Sequence, residues 1–206
     1  TGTIAAQLIV VTASGCVSLP ATSSFQIHAV PLVDFDLPVV CMPAGVAAFT
    51  NKSTIADGSA AQFAYSWNFG LPNAVSTLKD PVYNYPSVGT YAVKLKVTSK
   101  DGCSDSLTKS LTEVYPQPMA NFAVTPTGVC LGESITFEDQ SNPLTQTITS
   151  WVWQFGDGNS SNLASPVHTY TSAGSFVAKL YYITDKGCVS DTAERVPIIH
   201  PYPVVN

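Results

Sequence analysis

Three histidines, five cysteines and a small set of carboxylates are the residues of this chain equipped for chemistry. A histidine serves hydrolysis or acyl transfer when a nucleophile stands within hydrogen-bond reach and a carboxylate orients the ring. His28, His168 and His200 are the candidates for such a base. Glu138, Asp139 and Asp157 carry the oxygens that a hard cation such as Ca²⁺ selects. Cys16, Cys41, Cys103, Cys130 and Cys188 show no metal-ligand spacing among themselves or with histidine. Disulfide chemistry is what remains for them.

Each candidate is weighed against an internal repeat. Gly2-Thr3-Ile4-Ala5-Ala6-Gln7-Leu8, then Gly15-Cys16, reads like Gly89-Thr90-Tyr91-Ala92-Val93-Lys94-Leu95, then Gly102-Cys103. Gly174-Ser175-Phe176-Val177-Ala178-Lys179-Leu180, then Gly187-Cys188, is a third copy. The period is about 85–89 residues, the mark of one structural unit laid end to end. A residue that changes identity between copies is poor catalytic machinery. His168 answers to Tyr83, Asp157 to Leu71, and Glu138 and Asp139 to Asn51 and Lys52, while His28 and His200 sit at linker edges. No Ser-His-Asp order survives, so no catalytic residue is expected. Asp157-Gly158 reads first as a turn and only second as part of a Ca²⁺ site, and no other cofactor is expected.

The elements that position these residues are strands. Charged residues make up only 11% of the 206, against roughly a quarter in an average soluble protein, and 15 Pro and 13 Gly supply frequent turns. Tyr91, Val93, Leu95 and Val97 alternate with Ala92, Lys94 and Lys96, giving one apolar face. Phe176, Ala178, Leu180 and Tyr182 form that face in the third copy, and Ile4, Ala6, Leu8 and Val10 in the first. Ile9, Val11, Tyr181 and Ile183 should point the other way, as a candidate lateral stripe. Lys100-Asp101-Gly102 and Asp185-Lys186-Gly187 read as hairpin turns, and single strands are expected over 103–114 and 188–199. Short strands around Phe35 or Phe122 and Phe49 or Phe137 precede a strand carrying Trp67-Asn68-Phe69 or Trp153-Gln154-Phe155. Six or seven strands per unit predict an all-β fold of tandem immunoglobulin-like sandwiches, with Trp67, Phe69, Trp153 and Phe155 in the cores. Short Pro-rich connectors such as Pro116-Gln117-Pro118 predict a semi-rigid array.

At the Trp strand the pattern resembles a known family. Trp153-Gln154-Phe155-Gly156-Asp157-Gly158, then Ser165-Pro166-Val167-His168-Thr169-Tyr170, then Gly174-Ser175-Phe176, is similar to the polycystic kidney disease (PKD) domain signature. The earlier copy keeps Trp67-Asn68-Phe69-Gly70 but has Leu71 and Pro72 where Asp157 and Gly158 stand. The resemblance implies PKD-like domains over 31–115 and 116–201, the last strands of a preceding repeat over 1–30, and the start of a following one over 202–206. The cysteine placement resembles repeats of large secreted surface proteins of Bacteroidota, including gliding-motility adhesins. Asp105-Ser106-Leu107 and Asp191-Thr192-Ala193 resemble the O-glycosylation sequon of those bacteria, which makes Ser106 and Thr192 the glycosylation candidates.

The obvious disulfides lie within domains, Cys41 with Cys103 and Cys130 with Cys188. Sandwich topology speaks against them. It places the two members of each pair at opposite ends of a strand about 30 Å long, where bonded Cα atoms need roughly 4.4–6.8 Å. Stacked repeats would instead favour Cys41 with Cys188, leaving Cys103 and Cys130 to neighbours outside the chain. Both connectivities stay open on sequence alone.

A net charge of −5 with Arg195 as the single arginine excludes a nucleic-acid partner, and no apolar run is long enough for a membrane helix. The expected function is a non-enzymatic structural or adhesive segment: the stalk or filament shaft of an extracellular, cell-surface bacterial protein. Its partners would be neighbouring repeats, other copies in a filament, or surface glycans and proteins. The alternative is a spacer or substrate-binding module of a secreted hydrolase (chitinase, protease or polysaccharidase). The lack of an initiator methionine and signal peptide, and the mid-repeat ends, read as a piece of a longer array.

Overall fold

Along Tyr91–Thr98 every second side chain, from Tyr91 to Val97, is buried, while Ala92, Lys94 and Lys96 face water. The computed structural model describes residues 1–204 and contains strands, one 3-10 turn at Ser59–Gln62 and no α-helix among the described residues. Residues 205 and 206, the end of the segment assigned to a following repeat, lie outside the described residues. The architecture is all-β, tandem immunoglobulin-like sandwiches. The chain gathers into two compact units.

The first unit comprises Thr1–Pro38, Ala48–Tyr83 and Thr90–Thr112. Its four-stranded antiparallel sheet has the order Ser104–Leu111, Tyr91–Thr98, Ala64–Asn68, Val75–Ser76. The register sets Trp67 beside Leu95. Phe35 meets the Trp67 ring edge-on at 5.1 Å, and Phe49 lies 5.6 Å from it. The N-terminal hairpin pairs Gly2–Leu8 with Ala21–Ile27, and every residue of both strands is exposed. Ile4, Leu8 and Val10, on the face that is core in the other copies, are exposed, and among the described residues no second sheet pairs over this hairpin.

The second unit comprises Val39–Ala47, Asn84–Gly89 and the chain from Glu113 onward. Its sheet order Ser160–Ser161, Ile148–Gln154, Ala178–Thr184, Ala193–Arg195 repeats the first, with Trp153 beside Leu180. Phe122–Thr125, Ser134–Asp139 and Val167–Thr169 form a second antiparallel sheet. Phe122, Ile135, Phe137, Trp153, Phe155 and Leu180 belong to one buried cluster.

Three expected strands come out interrupted. The segment over 103–114 is cut into Ser104–Leu111 and Val114–Tyr115, because the latter pairs in parallel with Val40–Cys41 and leaves the first sheet. The segment over 188–199 is cut into Ala193–Arg195 and Ile198–His200. Asp191 turns away to accept the Ala120 N–H, and Pro197 has no N–H to offer a ladder. Gly174–Ser175 pairs with Ile198–Ile199 instead of continuing directly into Ala178–Thr184. Of the expected outward stripe, Ile9 and Val11 are exposed, whereas Tyr181 and Ile183 are half-buried, paired with Val152 and bridged to Val189.

Candidate functional site

The shared Trp-x-Phe-Gly stretch is built the same way in both repeats. Trp67 and Trp153 are buried to within 1% and donate their indole N–H groups to the carbonyls of Leu78 and Leu163 at 2.9 and 2.8 Å. Phe69 and Phe155 are buried beside them. Gly70 and Gly156 have φ of +83° and +86°, and a Cβ at either would lie within 2.8 Å of backbone atoms of Ala92 or Val177. Two independent constraints, handedness and close approach, therefore demand glycine at that turn.

Beyond that glycine the copies diverge, and here the sequence candidates Asp157 and His168 meet. His168 Nε2 lies 2.8 Å from Asp157 Oδ2, and both side chains are nearly buried. The imidazole stacks on Phe155 with centroids 4.1 Å apart. Asp157 also accepts the backbone and side-chain N–H groups of Asn159 at 3.0 and 2.9 Å. Burial pushes the Asp157 carboxyl up, but the Asn159 and His168 hydrogen bonds outweigh it and hold the group below its ordinary value of 3.8. Tyr170 closes the cluster by donating to the Phe155 carbonyl at 2.9 Å, and burial, with Asp157 nearby, pushes its phenol up to about 12.

In the first repeat Tyr83 takes the place of His168 and stacks on Phe69 with centroids 4.6 Å apart, while Leu71 replaces the carboxylate. The same geometry is thus met by a stacked tyrosine ring or by a stacked histidine hydrogen-bonded to a carboxylate, so the cluster fastens a turn to the core. A carboxylate whose folded pKa is depressed stabilises the fold above its unfolded value and loses that contribution as pH falls through the folded value. The second unit is therefore expected to lose stability as pH drops below about 4, and Asp157→Asn to flatten that loss. Denaturant midpoints recorded from pH 6 to pH 2.5 check this; parallel profiles for the two proteins would refute it.

The remaining carboxylates do not converge with Asp157. Asp139 accepts from the Trp151 indole at 2.8 Å and from the Ser141 N–H at 3.0 Å, and Glu138 faces solvent. Among the described residues no group of three His, Cys, Asp or Glu has metal-holding geometry. An open concavity of about 390 Å³ lies against Phe122, Gln140, Arg195 and Pro197, and its one cation is already bonded to Asn121 at 2.8 Å. Ser106 and Thr192 are exposed; the first lies on a sheet strand and the second in a loop.

Cys41 is bonded to Cys188, with Cα atoms 5.4 Å apart across 147 residues of sequence. The pairings within domains, Cys41 with Cys103 and Cys130 with Cys188, do not form; Cys16, Cys103 and Cys130 carry free thiols. Cys41 reaches its partner because Val40–Cys41 pairs in parallel with Val114–Tyr115, at the end of the repeat that precedes the Cys188 hairpin. Parallel pairing of the leading cysteine with the end of its own repeat leaves no signature in a single sequence.

These features define an immunoglobulin-like module held by an aromatic core and a bonded turn. The sequence model of the PKD domain family matches residues 29–114 and 115–197, and the chain belongs to that family. It is 25% identical over 172 residues to the pre-pro-metalloprotease PrtV of Vibrio cholerae, covering 82% of this chain and 17% of that protein. It is 38% identical over 71 residues to a microbial collagenase of Vibrio alginolyticus, covering 34% of this chain and 8% of that protein. The chain thus spans less than a fifth of these relatives. The crystal structure of the PKD1 domain of PrtV is 31% identical, covers 40% of this chain and 96% of that domain, and superposes with a TM-score of 0.36. Among the described residues no helix is long and apolar enough to cross a membrane.

Proposed function

We propose that the chain is a pair of non-catalytic accessory modules of a larger secreted protein, acting outside the cell as spacers that assist contact with an insoluble substrate. One observation carries this reading: the polar signature cluster around Asp157 and His168 is replaced in the other repeat by a stacked Tyr83 and Leu71, so its work is structural. The similarity to a pre-pro-metalloprotease and to microbial collagenases supports the setting. Incubation of the chain with fibrous collagen and with chitin tests it. Cosedimentation with one of them and no release of soluble fragments is expected; fragment release, or no binding to either, would refute it.

The stalk of a surface adhesin, of the Cys-bearing Bacteroidota kind with O-glycans at Ser106 and Thr192, is the second reading. The Cys41–Cys188 bridge favours it, because tension applied at the chain ends passes through the bond and spares the 147-residue loop. In single-molecule stretching, reductant should then release roughly 500 Å of extra contour length. An unchanged contour length would remove the mechanical argument.

A further inference from the structure

The internal repeat supplies its own comparison for the unbonded cysteines. The residue thirteen positions after each Gly-Cys turn glycine is His28, Tyr115 or His200. At the second of these, Tyr115 is the parallel strand partner of Cys41, and its carbonyl accepts the Met42 N–H at 3.0 Å. At the third, His200 is the parallel strand partner of Cys130, and its carbonyl accepts the Leu131 N–H at 2.9 Å. The two edges are built alike.

What sits on them differs. At Tyr115 the residue before a turn glycine, Lys186, lies over the ring at 5.9 Å, and the residue after that glycine, Cys188, is bonded to Cys41. At His28 the corresponding residue, Asp101, lies 3.1 Å from Nδ1. The contact at His28 thus exists without a disulfide, which makes it a seat in its own right. His200 and Cys130 present the same edge, both exposed, and Cys130 has a free thiol. The Glu133 carboxylate accepts the Cys130 N–H at 3.0 Å, a charge that complements a lysine arriving where Lys186 sits in the bonded junction.

We propose that Cys130 is the attachment point for the Gly-Cys turn of a further repeat of this type, closing an inter-repeat disulfide equivalent to Cys41–Cys188. The two thiols lose two protons and two electrons to an external disulfide, which is reduced to two thiols. This inference rests on the equivalence of the two edges and not on the choice between spacer and stalk.

The test extends the full chain by replacing residues 203–206 with a copy of 118–206, so that the copied Pro118 falls where Pro203 stood. After equilibration with oxidised and reduced glutathione, differential alkylation and peptide mapping should show Cys130 bonded to the copied Cys188, with alkylation of Cys130 at least tenfold below that in the original chain. The Cys41–Cys188 bond in the same molecule reports that the chain has folded. Cys130 alkylated as in the original chain, or the copied cysteine bonded elsewhere, would overturn the proposal. If the extended chain fails to fold, a synthetic peptide of residues 178–195 is offered to the original chain. A mixed disulfide at Cys130 favoured at least tenfold over the exposed Cys16 supports the proposal, and equal labelling overturns it.

Discussion

Replacement of Trp153 by alanine is expected to lower the stability of the second unit by about 3–5 kcal/mol. The side chain is fully buried, meets Phe122 edge-on at 5.0 Å and Phe137 at 5.9 Å, and satisfies the Leu163 carbonyl through its indole N–H. Its removal opens a cavity among rings anchored on separate strands and strips a carbonyl of its donor, and neither loss is easily relaxed. A small domain has about 5–15 kcal/mol in all, so the variant should stand close to unfolding at room temperature. Urea denaturation followed by far-UV circular dichroism checks this, with Trp153→Phe as the milder comparison. A loss below about 1 kcal/mol would mean that the indole is not the keystone its packing indicates.

The second large effect concerns the bridge. The Cys41→Ala, Cys188→Ala double variant is expected to lose about 2–5 kcal/mol. Loop-closure entropy for a separation of 147 residues gives about 5 kcal/mol, and measured bridges more often deliver about 2–4. Both cysteines are replaced because Cys188 is fully buried and would otherwise be left as an unpaired thiol in the packing. Reductant should destabilise the parent by the same amount and leave the double variant unchanged. Equal denaturation midpoints for parent and variant would show that the bond merely records a proximity that packing already enforces.

Much of this was legible before any coordinates. The period-two face of Tyr91–Val97, the Gly102 and Gly187 turns and the placement of Trp67, Phe69, Trp153 and Phe155 all follow from signals a few residues long. Turn chemistry and side-chain alternation are local, and three copies of the same spacing reinforced them. The interruptions near Val177 and Pro197 were hidden because a strand breaks where its neighbours demand it. The Phe176 N–H goes to the Pro197 carbonyl at 3.2 Å, a partner with no trace in the residues flanking either one. The Asp157–His168 contact was visible as two polar residues but not as a pair, since the stack on Phe155 is what brings them together.

The sequence by itself determined the repeat, the strand content, the core aromatics and the family, because those depend on the order of apolar, turn and glycine residues along the chain. Only the tertiary structure decided which cysteines join, which carboxylates stay apart, and that Val39–Ala47 gathers with the chain from Glu113 onward. The physical reason is distance along the chain. A strand's face is set by its neighbours at i±2, whereas the approach of Cys41 to Cys188 depends on parallel pairing at Val114–Tyr115 and the placing of a distant hairpin.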